Sequence, residues 1–336
     1  MLDYHLHLWP HHQRETALAV EQIAAYCERA AVAGVEEIAL TEHLFRFTQA
    51  REVVGQFWKS DEHPAPLRTS MAAYWDHHAR ADLDAYVEFV LQAKRAGLPV
   101  VLGLEVDYYR GRMDDVAALL AGYPFDVLLG SVHWVGAWRF DDLDDGPSMA
   151  EWGARSVDAA WDAYTEAVEE LAATGTCDVL AHPDLIKVTG RVPSSPVEWW
   201  DRLAEAASAN GVAAEVSSAG WRKPVAEQYP AAPLLARLAA HGVPLTTASD
   251  AHGTDHVADR ADDLRALLAS AGVTHLQGYR RRQGHRVPVG SRPDAAPADA
   301  APADAARPDA APADAAPSGR PGAASAAGAP GPPGRG

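Results

Sequence analysis

His5-Leu6-His7 places two imidazoles at spacing i, i+2, so on an extended strand both project from one side while Leu6 turns to the other. Two nitrogen ligands are thereby offered to one cation. Asp250-Ala251-His252 repeats the device far along the chain, setting a hard carboxylate beside an imidazole, a combination suited to zinc, manganese or iron. Between these pairs, residues of the same ligand types stand at the ends of short apolar runs: His43, Glu105, His133 and His182. A single histidine at such a position is most often a hydrogen-bonded core or surface residue. A whole set at corresponding positions points to a shared cation site, because buried polar groups are costly unless paired or coordinated.

The apolar runs are rich in Val, Leu and Ile, as buried parallel strands require, and seven are candidates: Leu2–Leu8, Val35–Thr41, Pro99–Val106, Asp126–Val132, Cys177–Ala181, Val212–Val216 and Val243–Ser249. Helical patterns lie between them, at Glu15–Ala33, His78–Ala96, Ala154–Ala173, Val197–Asn210 and Ala231–His241, several closed by Ala-Gly, Asn-Gly or His-Gly. This alternation predicts a parallel α/β sheet or barrel. Two connections are long, Leu44–His77 and Trp134–Gly153. Both leave strand ends of the kind where α/β proteins hold ligands, so a lid or substrate wall is expected there.

From about Ser291 the sequence turns to Pro-Ala-Asp-Ala-Ala units and then Gly, Pro and Ala, a composition unable to bury a core. The expected organisation is therefore a barrel over residues 1–290 and a disordered tail over 291–336. The chain carries a formal charge of −17, nearly all of it in the barrel. No basic stripe is visible, which argues against nucleic acid as a partner and leaves a small substrate. Cys27 and Cys177 lie far apart, so no disulfide framework is indicated. The start of the chain lacks an export signal, and no run approaches a membrane span. A soluble, cytoplasmic protein without membrane contact is expected; the oligomeric state is not legible.

The ordered succession Asp3-Tyr4-His5-Leu6-His7, Thr41-Glu42-His43, Gly103-Leu104-Glu105, Gly130-Ser131-Val132-His133, His182-Pro183-Asp184-Leu185-Ile186-Lys187 and Ser249-Asp250-Ala251-His252 resembles the polymerase-and-histidinol-phosphatase (PHP) family. The segments Gly130–Lys187 and Ala219–Val225 are similar to its histidinol-phosphatase branch. The likeness covers roughly residues 1–285. It implies a distorted (β/α)7 barrel of the PHP type holding up to three divalent ions (zinc, manganese or iron). By this resemblance His5, His7, Glu105 and Asp250 would hold one ion, and Glu105 would bridge to a second at His133 and His182. His43, His252 and a histidine shortly after the His-x-His pair would hold a third. His11 and His12 are both available for that role, and spacing does not choose between them.

The same resemblance implies hydrolysis of L-histidinol phosphate to L-histidinol and phosphate, a step of histidine biosynthesis. Glu105, Asp250 and His252 would carry the chemistry. Three divalent ions neutralised by Glu105 and Asp250 alone would leave a formal charge of about +4, favouring a dianionic phosphate and a metal-bridging hydroxide as the attacking group. Arg222 and Lys223, just past the sixth strand, are expected to bind the phosphate, with Lys187 a weaker candidate. Asp141, Asp142, Asp144 and Asp145, with Trp134 and Trp138, could meet a cationic substrate, but an aspartate cluster is more often a solvated loop. Glu42 reads equally as a surface residue or as a carboxylate orienting a ligand. His63, His77, His78, His241, His256, His275 and His285 read as exposed, and Trp152, Trp161, Trp199 and Trp200 as packing.

Three rivals stand beside this reading. The same barrel could act on another small phosphate ester or a phosphodiester. A (β/α)8 zinc amidohydrolase also opens with His-x-His, but normally wants a bridging Lys where this chain offers Glu105. A catalytically silent accessory barrel is opposed by the full ligand set.

Overall fold

The computed structural model describes residues 1–11, 13, 17–59 and 62–290. The tail expected at 291–336, and His12, lie outside the described residues.

Seven strands form one parallel sheet whose order follows the sequence: β1 (Leu2–Leu6), β2 (Glu37–Leu40), β3 (Val100–Asp107), β4 (Val127–Ser131), β5 (Val179–Leu180), β6 (Ala213–Ser217) and β7 (Leu245–Ala248). Each falls within or against one of the seven apolar runs. All but Glu37 among their residues are buried, as strands covered on both faces must be. Leu6 pairs in parallel with Ala251 just beyond β7, and Thr247 Oγ1 donates to the Leu2 carbonyl at 2.6 Å. The sheet therefore curls back onto its own first strand, giving the distorted (β/α)7 barrel. Gly130 in β4 has a packing reason: a Cβ there would lie 2.5 Å from Cys177 Sγ, so a side chain would displace the residue leading into β5.

The helices, in chain order, are α1 (Val20–Val32), α2 (Thr48–Val54), α3 (Ala65–His78), α4 (Leu83–Arg95), α5 (Met113–Leu120), α6 (Gly146–Ala154), α7 (Val157–Ala173), α8 (Val197–Ala209), α9 (Ala232–Ala240) and α10 (Ala261–Ser270). Asp82, Asp145 and Ser156 begin α4, α6 and α7 by accepting hydrogen bonds from Asp84 N, Ser148 N and Ala159 N. Such caps satisfy amides that the helix itself leaves open. No described helix is long and apolar enough to cross a membrane.

The stretch Leu44–His77 is not a loop. Two short 3-10 turns, Leu44–Arg46 and Phe57–Lys59, alternate with α2 and α3 to make a packed lobe. Its rings meet those of the barrel edge: Phe57 lies edge-on to Tyr109 at 5.1 Å, and Phe45 to Trp134 at 5.8 Å. This corrects the helical pattern placed at His78–Ala96, since His78 ends α3 and a new helix starts at Leu83. His78 is buried against Tyr74, ring centroids 4.3 Å apart, rather than exposed, and His63 and His77 are half-buried. Arg46, also buried, donates to the carbonyls of Pro10 (2.7 Å) and Gln13 (3.1 Å), and so fastens the segment after β1 that carries His11.

A hairpin that the periodicity did not suggest, β8 (His275–Arg280) with β9 (Gln283–Pro288), closes the described chain. Arg282 N donates to the Asp126 carbonyl at 2.7 Å and Tyr279 OH to that of Asp178 at 3.1 Å. Both carbonyls precede strands, so the hairpin covers the end of the barrel opposite the histidine-bearing one.

Candidate metal centre

The strand ends converge on Glu105. Five imidazoles approach its carboxylate within 3.6 Å: His43 Nδ1 (2.6 Å), His5 Nε2 (3.2 Å) and His7 Nε2 (3.6 Å) at Oε2, with His182 Nε2 (3.2 Å) and His133 Nε2 (3.3 Å) at Oε1. Asp250 Oδ1 completes the ring, 3.4 Å from His7 Nε2 and 3.8 Å from His5 Nε2. His252 Nε2 stands 3.4 Å from His43 Nε2, and His11 stacks on the His252 ring at 3.6 Å. Residues from six different strand ends, spread over nearly 250 positions of sequence, thus meet because consecutive parallel strands bring their carboxyl ends to one rim.

Two of these residues are delivered by unusual backbone. His182 (φ 28°) and Asp250 (φ 50°) both sit at positive φ, a region L-residues rarely occupy and which clusters at functional sites. Arg222 supports the second turn: its guanidinium donates to the carbonyls of Ser249 (2.6 Å) and Asp250 (3.2 Å) and to Asp259 Oδ2 (2.9 Å).

A further ring of carboxylates holds the imidazoles. His5 Nδ1 lies 2.8 Å from Glu215 Oε2 and His133 Nδ1 lies 2.6 Å from Asp107 Oδ1. Glu42 is buried, accepts from the amides of Leu8 and Trp9, and stands 3.7 Å from His7 Nδ1. Of its two readings, the buried one is therefore what the fold displays. Asp107 and Glu215 were missed by sequence reasoning, although each left a signal. Asp107 repeats the i, i+2 device with Glu105 on β3, and Glu215 is a lone carboxylate inside an otherwise apolar strand. Such carboxylates fix the ring tautomer and leave the other nitrogen free for a cation.

The electrostatics are those of a cation site. Burial alone would raise the Glu105 carboxyl, yet the imidazoles of His5, His43 and His133 hold it well below the usual carboxylate range. Asp250 is likewise held low, by His5 and His7 against the effect of burial. Burial and the neighbouring His7 push His43 and His252 well below the ordinary histidine value, so both are neutral and ligand-ready at pH 7. His133 goes the other way: burial would lower it, but Glu105 and Asp107 raise it to about 10.

These atoms fit divalent ions. His5 Nε2, both nitrogens of His7, His43 Nδ1 and Glu105 Oε2 are buried without a hydrogen-bond partner among the described residues. A native interior does not tolerate so many orphaned polar atoms in one place unless something else satisfies them. Four triads have ligand atoms within 4.8 Å of one another: His5, His7 and Asp250; His5, Glu105 and His182; His43, Glu105 and His133; and His7, His43 and His252. The mixed imidazole and carboxylate donors suit zinc, manganese or iron.

Beside the cage, Lys223 reaches the rim, half-buried, its ammonium making neither a hydrogen bond nor an ion pair among the described residues, and it lines two neighbouring cavities. Arg222, the other expected phosphate ligand, is spent on Asp259 and two carbonyls as described. Lys187 does not reach the site; it is buried against Asp184 (3.0 Å), Glu227 (2.7 Å) and the Gln228 carbonyl (2.7 Å).

A family profile described as the PHP domain matches residues 4–219. A relative from Deinococcus radiodurans named "Probable histidinol-phosphatase" is 34% identical over 220 residues, 63% of this chain and 83% of the relative. Among solved structures, histidinol phosphate phosphatase from Lactococcus lactis, complexed with zinc, L-histidinol and phosphate, superposes with a TM-score of 0.61 at 18% identity. That match covers 84% of this chain and 98% of the other, and at such identity it speaks to the shared fold.

Proposed function

The chain belongs to the PHP domain family, and on that premise we propose that residues 1–290 form a metal-dependent phosphomonoesterase that hydrolyses L-histidinol phosphate to L-histidinol and phosphate. The observation that carries the reading is the Glu105-centred cage of imidazoles with its orphaned buried nitrogens. The relative's name and the ligands in the Lactococcus lactis structure supply the substrate.

His5, His7 and Asp250 would hold one ion, Glu105 with His133 and His182 a second, and His43 with His252 and the neighbouring His11 or His12 a third. Divalent ions held there supply Lewis acidity, polarising phosphoryl oxygens and lowering the pKa of water toward neutrality. Glu105, held well below the usual carboxylate range, is charged near neutral pH and so holds the imidazoles at one centre. Asp107, Glu215 and Glu42 fix the rings of His133, His5 and His7. Lys223, whose ammonium makes no ion pair among the described residues, grips phosphate oxygens as a point charge. Arg222 contributes from behind, by tying down the strained turn that aims Asp250. In the reaction, the oxygen of one water bonds to phosphorus as the bond from phosphorus to the alkoxide oxygen breaks. The alkoxide takes up a proton and leaves as the alcohol.

The partner we assign is a small phosphorylated molecule rather than nucleic acid or membrane, in keeping with the charge of −17, and the two free cysteines suit a reducing cytoplasm. Turnover of L-histidinol phosphate compared with other phosphomonoesters and with bis-p-nitrophenyl phosphate tests the reading. We expect histidinol phosphate to be preferred and, in heavy-oxygen water, the label to appear in phosphate. Preference for the diester, or label in the alcohol, would overturn it.

A further inference from the structure

The four aspartates after β4 are not equivalent. Asp142 pairs with Arg139 and accepts the amides of Asp144 and Asp145, both at 3.2 Å. Asp145 caps α6 through Ser148 N at 2.9 Å and lies 3.1 Å from Arg139. Asp144 is exposed. Asp141 differs from all three: it is half-buried and has no hydrogen bond or ion pair among the described residues. Of the cations near it, Arg139 is engaged by Asp142, Asp145 and Ser70 Oγ (2.7 Å) and sits over the Tyr74 ring at 4.3 Å, while His133 and Lys223 act on Asp141 through space without a hydrogen bond or ion pair.

Asp141 lines a cavity of about 210 Å³ whose walls include the caged His43 and His133, the cation Lys223 and the rings of Phe45, Tyr74 and Trp134, with Asp142 and Asp144 also at its edge. That space therefore joins two kinds of group, a cation with metal ligands on the one hand and, on the other, aromatic faces with a carboxylate that has no hydrogen bond or ion pair among the described residues. A dianionic phosphate is drawn to the first and repelled by the second. A flat, positively charged organic group finds the reverse.

We propose that Asp141 is the specificity residue that accepts a hydrogen bond from the cationic end of the substrate, an ammonium or imidazolium, while Phe45, Tyr74 and Trp134 enclose the stem that joins it to the phosphate. The assignment rests on the phosphatase reading above and adds to it the residue that chooses the alcohol. It also separates Asp141 from Asp142 and Asp145, which hold the loop, and from the exposed Asp144.

Asp141→Asn keeps the shape and removes the charge. With L-histidinol phosphate its KM should rise about 10- to 100-fold, the worth of one charge-assisted hydrogen bond. With p-nitrophenyl phosphate, whose tail is uncharged, kcat/KM should change by less than about threefold, and Asp141→Glu should recover part of the preference. Metal content and circular dichroism of both variants serve as the check on folding. An equal loss on both esters would make Asp141 part of the general electrostatics of the cage and overturn the proposal, as would no loss on either. Failure of the wild-type protein to turn over histidinol phosphate would remove the phosphatase reading and this inference together. Wild-type turnover with an undiminished preference in Asp141→Asn would remove the inference alone.

Discussion

His133 Nδ1 lies 2.6 Å from Asp107 Oδ1, while Nε2 of the same ring stands 3.3 Å from Glu105. The ring is thus held between two buried carboxylates of one strand, one to orient it and one at the centre of the cage. Burial lifts Asp107 to about 6 even though His133 pulls it down. Replacing it by Asn removes the charge that sets the His133 tautomer without changing volume. Asp107→Asn is expected to lower kcat or metal affinity by about 10- to 100-fold, the usual effect of losing such a supporting carboxylate, with KM for the ester nearly unchanged. Steady-state kinetics beside elemental analysis would show it; unaltered values in both would contradict the role.

Arg222 and Lys223 are neighbours in sequence with separable effects. Lys223→Ala should raise KM for phosphate esters about tenfold or more while metal content stays at the wild-type level. Arg222→Ala should instead release the Ser249 and Asp250 carbonyls, which it holds at 2.6 and 3.2 Å, and lower bound metal and kcat together. Were Arg222→Ala to raise KM alone with full metal content, the guanidinium would be a direct phosphate ligand after all.

Asp3 gives a test of stability against pH. Its buried carboxylate accepts from Ser249 N (2.8 Å), Ser249 Oγ (2.7 Å) and Ala258 N (2.9 Å), so it joins β1 to the chain after β7. Burial outweighs these bonds and raises its pKa to about 6. The folded state therefore holds this proton more tightly than the unfolded chain. The resulting stability is complete below about pH 4 and lost as pH rises through about 6, amounting to ~3 kcal/mol at most. Urea midpoints across that range should show the wild-type lead over Asp3→Asn shrinking as pH rises. A lead independent of pH would mean that Asp3 titrates normally in the fold.

Much of the fold was legible because its strands are buried on both faces and so announce themselves as Val- and Leu-rich runs. The cage was legible for a related reason, since His and Glu recurring at the ends of one such run after another point to a shared cation site although each alone does not. What escaped was set by tertiary packing. The lobe that carries α2 and α3 is held by the rings of its short turns, Phe57 against Tyr109 and Phe45 against Trp134, residues distant in sequence. Arg46 looks like any surface cation until the fold shows its partners to be the carbonyls of Pro10 and Gln13. Arg222 was expected to bind the phosphate, and its bonds to the carbonyls of Ser249 and Asp250 could not be foreseen because backbone carbonyls leave no mark in a sequence. Asp107 and Glu215 could have been found by extending to β3 and β6 the rule applied to His5 and His7.

The central claim is that a carboxylate ringed by imidazoles exists to gather cations that activate phosphate-ester hydrolysis. Its most direct test is phosphate release from L-histidinol phosphate by protein stripped with a chelator and then titrated with zinc or manganese, beside Glu105→Gln treated identically. Stripped wild-type protein should be inactive and should recover with a few equivalents of metal, while Glu105→Gln should bind less metal and stay at least about a thousandfold slower throughout. Full turnover by the stripped protein, or by Glu105→Gln, would contradict the account.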